Sequence, residues 1–138
     1  MTTRLPDWQL RLETCLAERF SRPFAFGAQD CALFAADCVE ASTGRDPAAG
    51  IRGRYRDARG ASRIVRRLGG LEAIARDMLG SEVSTALAQP GDVGLLENAG
   101  RPCLGVCTGL HWLAPGALGL LTLPREQARL AWRVGRGI

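Results

Sequence analysis

The sequence predicts an α+β fold in which N-terminal helices pack on a C-terminal antiparallel sheet, and three observations lead there. Between residues 7 and 79 the apolar side chains recur at helical spacing. After Pro90-Gly91-Asp92 they come instead in short runs closed by Gly, Pro or Asn, the pattern of hairpin strands. Helices gathered in one half and strands in the other indicate α+β rather than an alternating α/β order.

The first helix is predicted over residues 7–20, because Trp8, Leu12, Cys15, Leu16 and Phe20 fall on one helical face. Ser21-Arg22-Pro23 stops it. A short aromatic approach, Phe24-Ala25-Phe26-Gly27, leads to a second helix whose exposed backbone N–H groups Asp30 can cap. Phe34, Cys38 and Val39 continue its buried stripe, and Gly44 ends it as a left-handed cap before the Asp46-Pro47 turn. Residues 50–60, rich in Arg and Gly and holding the single tyrosine, Tyr55, are expected to be a loop. Two short helices follow at residues 62–68 and 71–79, separated by Gly69-Gly70 and closed by Gly80. Strands of a meander are expected at residues 93–97, 102–108, 110–113 and 118–123. A helical turn over residues 125–130 and a last strand at 131–134 complete the chain.

With 138 residues, 46% of them apolar, the chain makes a single domain, residues 1–138, that buries roughly two-thirds of its unfolded surface. A mean hydropathy near zero supplies a core and argues against disorder. Collagen, coiled-coil and solenoid patterns are absent, and no run approaches the roughly 18–20 apolar residues of a membrane span. A soluble protein is expected. The first seven residues are polar and turn helical at once, unlike a signal peptide, so synthesis and folding in the cytoplasm are expected. All 18 basic residues are arginines and the net charge is +4. They are spread out with few aromatics among them, which describes a solvated basic surface better than a specific nucleic-acid site.

Five cysteines, Cys15, Cys31, Cys38, Cys103 and Cys107, are an odd number, and cytosolic thiols stay reduced, so a disulfide framework is not expected. Cys31 stands at the start of the second helix, where unpaired N–H groups and the positive dipole end favour thiolate. That arrangement makes a nucleophile. A buried cysteine filling a gap between helix and sheet is the competing reading. His111 is the only histidine, next to Trp112 after the Gly109 turn, where it reads as an exposed turn residue or as a base brought in by register.

The order of these motifs resembles the NlpC-type cell-wall cysteine peptidases, a rearranged papain-like group: Phe26-Gly27, Asp30-Cys31 at a helix start, Gly44 at its end, then Pro90-Gly91-Asp92-Val93 leading into a sheet. More closely, Pro23-Phe24-Ala25-Phe26-Gly27, Asp30-Cys31-Ala32-Leu33-Phe34, Thr43-Gly44-Arg45-Asp46, Arg52-Gly53-Arg54-Tyr55, Gly69-Gly70-Leu71 and Ala131-Trp132-Arg133-Val134 resemble a small family of phage and prophage proteins whose genes usually sit among those for the tail tip.

The resemblance implies an NlpC-type papain-like domain with Cys31 at the nucleophile position and Asp92 as the acid shaping the turn before the sheet. It also puts a cysteine, Cys103 of Cys103-Leu104-Gly105-Val106, where the family carries its catalytic histidine. A general base is typically worth 10²–10⁴-fold, and without one a thiol at neutral pH is mostly protonated. The implied protein is thus a structural or assembly component of a tail tip with a degenerate peptidase fold. Its implied partners are other tail-tip or hub proteins, and its implied place is the virion after assembly in the bacterial host cytoplasm. The alternative is an active peptidoglycan amidase or endopeptidase using Cys31. No cofactor, metal, membrane span or specific nucleic acid is expected.

If Cys103 takes the histidine's place it faces Cys31, within reach of a disulfide under oxidation. Helix and strand spacing then sets Cys38 near Cys107 on the same seam. Simple packing of small side chains is the other reading of these pairs. Their spacing does not suit a shared metal ion.

Overall fold

A computed structural model describes residues 3–135 of the chain. Four helices, α1 (Trp8–Arg19), α2 (Cys31–Thr43), α3 (Ala58–Arg67) and α4 (Leu71–Leu79), precede a six-stranded antiparallel sheet. The strands are β1 (Glu82–Val83), β2 (Val93–Asn98), β3 (Arg101–Cys107), β4 (His111–Gly116), β5 (Gly119–Pro124) and β6 (Ala128–Trp132). They lie in the order β1-β6-β2-β3-β4-β5, so the expected meander runs from β2 to β5 and β6 returns to the other side of β2. The α+β class, with helices N-terminal and sheet C-terminal, is the observed architecture.

The caps fall where the sequence places them. The Asp30 carboxylate accepts from the Leu33 N–H at 2.9 Å, and Gly44 closes α2 at φ +82°. Because α2 is buried nearly all round, its side chains are apolar on most faces. Phe34 and Cys38 join Leu104 and Val106 of β3 in one cluster, to which Leu12 and Cys15 of α1 also belong. Strand alternation sends Leu96, Cys107, Trp112 and Ala131 to the opposite face of the sheet, where they form a second cluster with Ala88. Arg125 ties that cover down, donating to the carbonyls of Thr85, Ala88 and Gly109.

Three expectations of the element bounds need correction, and two short elements lie outside them. Helix α3 starts at Ala58 rather than at residue 62, because Asp57 caps it by accepting from the Gly60 N–H at 2.7 Å. The helical turn after β5 ends at Gln127, and β6 begins at Ala128, pairing with β2 across a register shift at Leu95/Leu96. Short β1 and the 3-10 turn at Thr85–Leu87 are unforeseen from sequence, two or three residues being too few to show a period. Phe20 lies past the end of α1 and is 62% exposed, so the buried face of that helix ends with Leu16.

Candidate functional site

The site begins with the segment that launches α2. Gly27 has φ +81°, and a Cβ there would stand 2.5 Å from the Tyr55 carbonyl oxygen, so only glycine lets the residue 50–57 loop close over the helix start. The Gly27 N–H donates to Asp30 Oδ2 at 2.9 Å, and the Tyr55 hydroxyl donates to the same oxygen at 2.6 Å. With Oδ1 committed to the Leu33 N–H, the buried Asp30 carboxylate caps the helix and anchors the loop at once. Burial, then the hydrogen bond to Asp30, raises the Tyr55 phenol above its ordinary value.

Next to this cap, Cys31 meets β3 where that strand lacks a neighbour. The β2–β3 turn has Ala99 at φ +53° and Gly100 at φ +77°, the two-residue hairpin geometry in which Asn98 and Arg101 are hydrogen-bonded partners. Alternation then makes Leu95 and Leu104 a pair without ladder bonds, and the Cys107 N–H to Asp92 carbonyl bond of 2.8 Å fixes the same phase. The Leu104 N–H therefore points away from β2. On that side β4 pairs only with Val106 and Cys107, and Pro115 has no N–H with which to continue. Cys31 occupies the gap, where the Leu104 amide favours its thiolate.

That amide does not prevail. Burial, the largest effect, together with the neighbouring Cys103 and the Asp30 charge, pushes the Cys31 thiol up to about 12. The helix start that favours a thiolate on sequence grounds is thus outweighed by desolvation and by the carboxylate that caps it. Cys103 is raised as well, by burial.

Cys31 keeps some accessible surface on the wall of a cavity of about 380 Å³. Its walls are largely apolar: Phe24 and Phe26, edge to face at 4.7 Å, then Ile64 and Val65 of α3 and Leu71 and Ile74 of α4. Arg101, Pro102 and Cys103 of the β2–β3 hairpin close the far side. Helix α3 has no fully buried residue. Ala61, Ile64 and Val65 face the cavity, while Arg59, Arg63, Arg66 and Arg67 fall on the opposite side of the helix.

Of the residues singled out from sequence, Cys31 and Cys103 both border this cavity and the rest lie away from it. Cys103 does not face Cys31 across the seam as expected, because strand alternation packs it with Leu96 and the second cluster while Cys31 packs with the first. His111 opens β4, exposed, with its backbone tied to Thr108; Pro115, at the cavity, is about 13 Å of strand away. Asp92 lies before β2, whose other end, Asn98, reaches the cavity about 20 Å on. Its fully buried carboxylate accepts from the Gln89 and Val134 N–H groups and from Arg4. Cys38 does not meet Cys107. Leu104 and Val106 are the β3 side chains that face α2, so Cys107 points to the second cluster, and Cys38 sits with its sulfur 4.0 Å from that of Cys15. Burial drives Cys38 well above its ordinary value, while its hydrogen bond to Cys15 lowers the latter.

Tyr55, Phe24, Phe26 and Arg101 belong to the site without having been assigned a role from sequence. The signals available were the single tyrosine in an Arg-Gly loop and two aromatics before a helix cap. Among the described residues no group of three or more His, Cys, Asp or Glu is placed to hold a metal ion. No described helix is long and apolar enough to cross a membrane.

A family model described as "Domain of unknown function (DUF6950)" matches residues 3–134. A search of curated proteins finds no match.

Proposed function

The chain belongs to the family described as Domain of unknown function (DUF6950), and from the resemblance its motifs carry we propose a structural or assembly component of a tailed-phage or prophage tail tip. In this reading the domain is an NlpC-type papain-like peptidase fold whose catalytic machinery has degenerated. It works in the virion, after assembly in the bacterial host cytoplasm, in contact with other tail-tip or hub proteins.

One observation carries the reading. The Cys31 thiol at the start of α2 is pushed up to about 12, and Cys103, which the resemblance puts in the place of the base, packs beside Leu96 on the sheet face away from α2. Such a sulfur stays protonated at neutral pH. His111 is too far along β4 to withdraw the proton, since a general base must stand within hydrogen-bond reach. The alternative, a peptidoglycan amidase or endopeptidase attacking a peptide carbonyl through Cys31, rests on the accessible surface that Cys31 keeps in the cavity.

The test has two arms. Purified protein is incubated with muropeptides, beside Cys31→Ala, and tagged protein is sought in purified tails by immunogold microscopy. No Cys31-dependent cleavage and labelling at the tail tip are expected. Hydrolysis that vanishes in Cys31→Ala makes the protein an enzyme, and absence from intact tails removes the virion role.

A further inference from the structure

We propose that the cavity beside Cys31 is the receptor for a peptide segment of a partner protein, one that inserts an apolar or aromatic anchor side chain and carries a carboxylate beside it. The proposal rests on the non-catalytic reading of the site given above and names the chemistry of what binds there.

Three observations lead to it. The first is the size and character of the space. At about 30 Å³ per non-hydrogen atom, the volume of a water molecule in the liquid, 380 Å³ holds roughly a dozen such atoms, the scale of one or two large side chains. Its walls are mainly aliphatic and aromatic, with few polar groups, as binding cavities generally are.

The second is that these walls are left incompletely covered. Phe24 and Phe26 are about a third exposed, and α3 buries none of its residues fully although Ala61, Ile64 and Val65 all face inward. An inserted side chain removes this apolar surface from water, the ordinary driving force for anchoring a peptide in a groove.

The third is the charge at the rim. Arg101 lines the cavity, and Arg54 and Arg56 flank the lining residue Tyr55; all three are exposed, and none makes an ion pair among the described residues. The nearby carboxylates are already engaged: Asp30 by Tyr55 and two backbone N–H groups, Asp57 by the start of α3, Glu72 by Arg76. Arg101, an arginine among the lining residues, is therefore complementary to an incoming carboxylate, which an arginine recognises well. A nucleic acid would need a run of cations along its backbone, and the four arginines on the outer side of α3 face away from the cavity.

The full chain is panned against a displayed library of random dodecamers, and the consensus peptide is then synthesised and its binding followed by fluorescence anisotropy. Enriched sequences are expected to place Leu, Ile, Phe or Trp within two residues of Asp or Glu. Ala61→Trp, which fills the cavity from α3, and Arg101→Glu, at the exposed hairpin, should each weaken binding at least tenfold. Failure to enrich any sequence overturns the proposal, as does a consensus lacking either element or unchanged affinity in both variants. Displacement of the peptide by an equal concentration of a 20-nucleotide single strand or of dodecanoate also overturns it, by giving the site to another class of ligand. Cleavage of the bound peptide that depends on Cys31 would instead sink the non-catalytic reading, and absence of the protein from tails would sink only the virion role.

Discussion

The Tyr55 hydroxyl donates to Asp30 Oδ2 at 2.6 Å, while Oδ1 of the same carboxylate caps α2 at the Leu33 N–H. One buried group thus couples the loop that covers the cavity to the helix that presents Cys31. Tyr55→Phe should cost about 1.5–3 kcal/mol in urea denaturation, the range for a hydrogen bond to a charged group. Hydrogen exchange at the amides of the residue 50–57 loop should quicken with it. A loss within 0.5 kcal/mol, taken as roughly the size of a neutral surface change, would show that the loop is held by its apolar contacts alone.

The same contact has a pH signature. Burial and then the Asp30 hydrogen bond raise the Tyr55 phenol, and burial pushes Cys31 up to about 12 from 9.0. Both groups keep their protons longer folded than unfolded. Their contribution is full below the unfolded values, about 9 for the thiol and 10 for the phenol, and is lost as pH rises from there toward the folded ones. Melting temperature should therefore fall above pH 9, less steeply in Cys31→Ser, whose hydroxyl does not titrate in this range. Because Tyr55 is the single tyrosine, absorbance at the tyrosinate band reports on it alone, and no tyrosinate should form near pH 10 while the chain stays folded. An identical pH profile for Cys31→Ser would remove Cys31 from this account.

Cys31 should also alkylate slowly at neutral pH. With iodoacetamide at pH 7, mass spectrometry is expected to find it modified no faster than an ordinary accessible cysteine, with a rate that climbs into the alkaline range. Selective labelling with an apparent pKa below the ordinary value of about 8.5 would mean that a base reaches the sulfur after all.

Much of the fold is legible because its signals are local. Asp30 before Cys31 and Gly44 after Thr43 mark both ends of α2, and Pro90-Gly91-Asp92 marks the change from helical to strand period. What escapes is set by tertiary geometry. The face that β3 turns toward α2 is decided by the phase of the Ala99-Gly100 hairpin, which puts Leu104 and Val106 there and removes both Cys103 and Cys107. The spacing of Cys38 and Cys107 is blind to that choice, and so it pairs the wrong cysteines. Likewise, the N-terminal position of Cys31 favours a thiolate only while the site is solvated, and burial in the folded chain reverses that preference. Helix α3 starts early because Asp57 is a cap lying inside a run that composition reads as loop.

Phe34→Ala should destabilise the chain by about 3–5 kcal/mol. The ring is fully buried in the cluster that joins α1, α2 and the sheet, so its removal leaves a cavity that neighbours on rigid elements fill only in part. Chemical denaturation measures the loss. A change near zero would mean that α2 presents another face to β3.

The contact between Arg4 and Asp92 supplies the last prediction. Arg4 Nη2 lies 3.1 Å from Asp92 Oδ1, its Nε donates to the Val134 carbonyl and its Nη1 to that of Pro90, each at 2.8 Å, and its guanidinium stacks 4.1 Å from the Trp8 ring centre. Asp92 in turn accepts from Gln89 and Val134. The pair thus binds the segment before α1, the turn before β2 and the residues after β6 into one knot. Truncating one member leaves the other charge buried with fewer partners, so Arg4→Met and Asp92→Ala should each cost about 3–5 kcal/mol. The double variant removes both charges and should cost less than the sum, with a coupling of about 1–3 kcal/mol in a double-mutant cycle. The carboxylate that the resemblance makes the acid shaping the turn before the sheet would then hold three separate segments of the fold. Additivity within about 0.5 kcal/mol would instead show that Arg4 and Asp92 act on these segments independently.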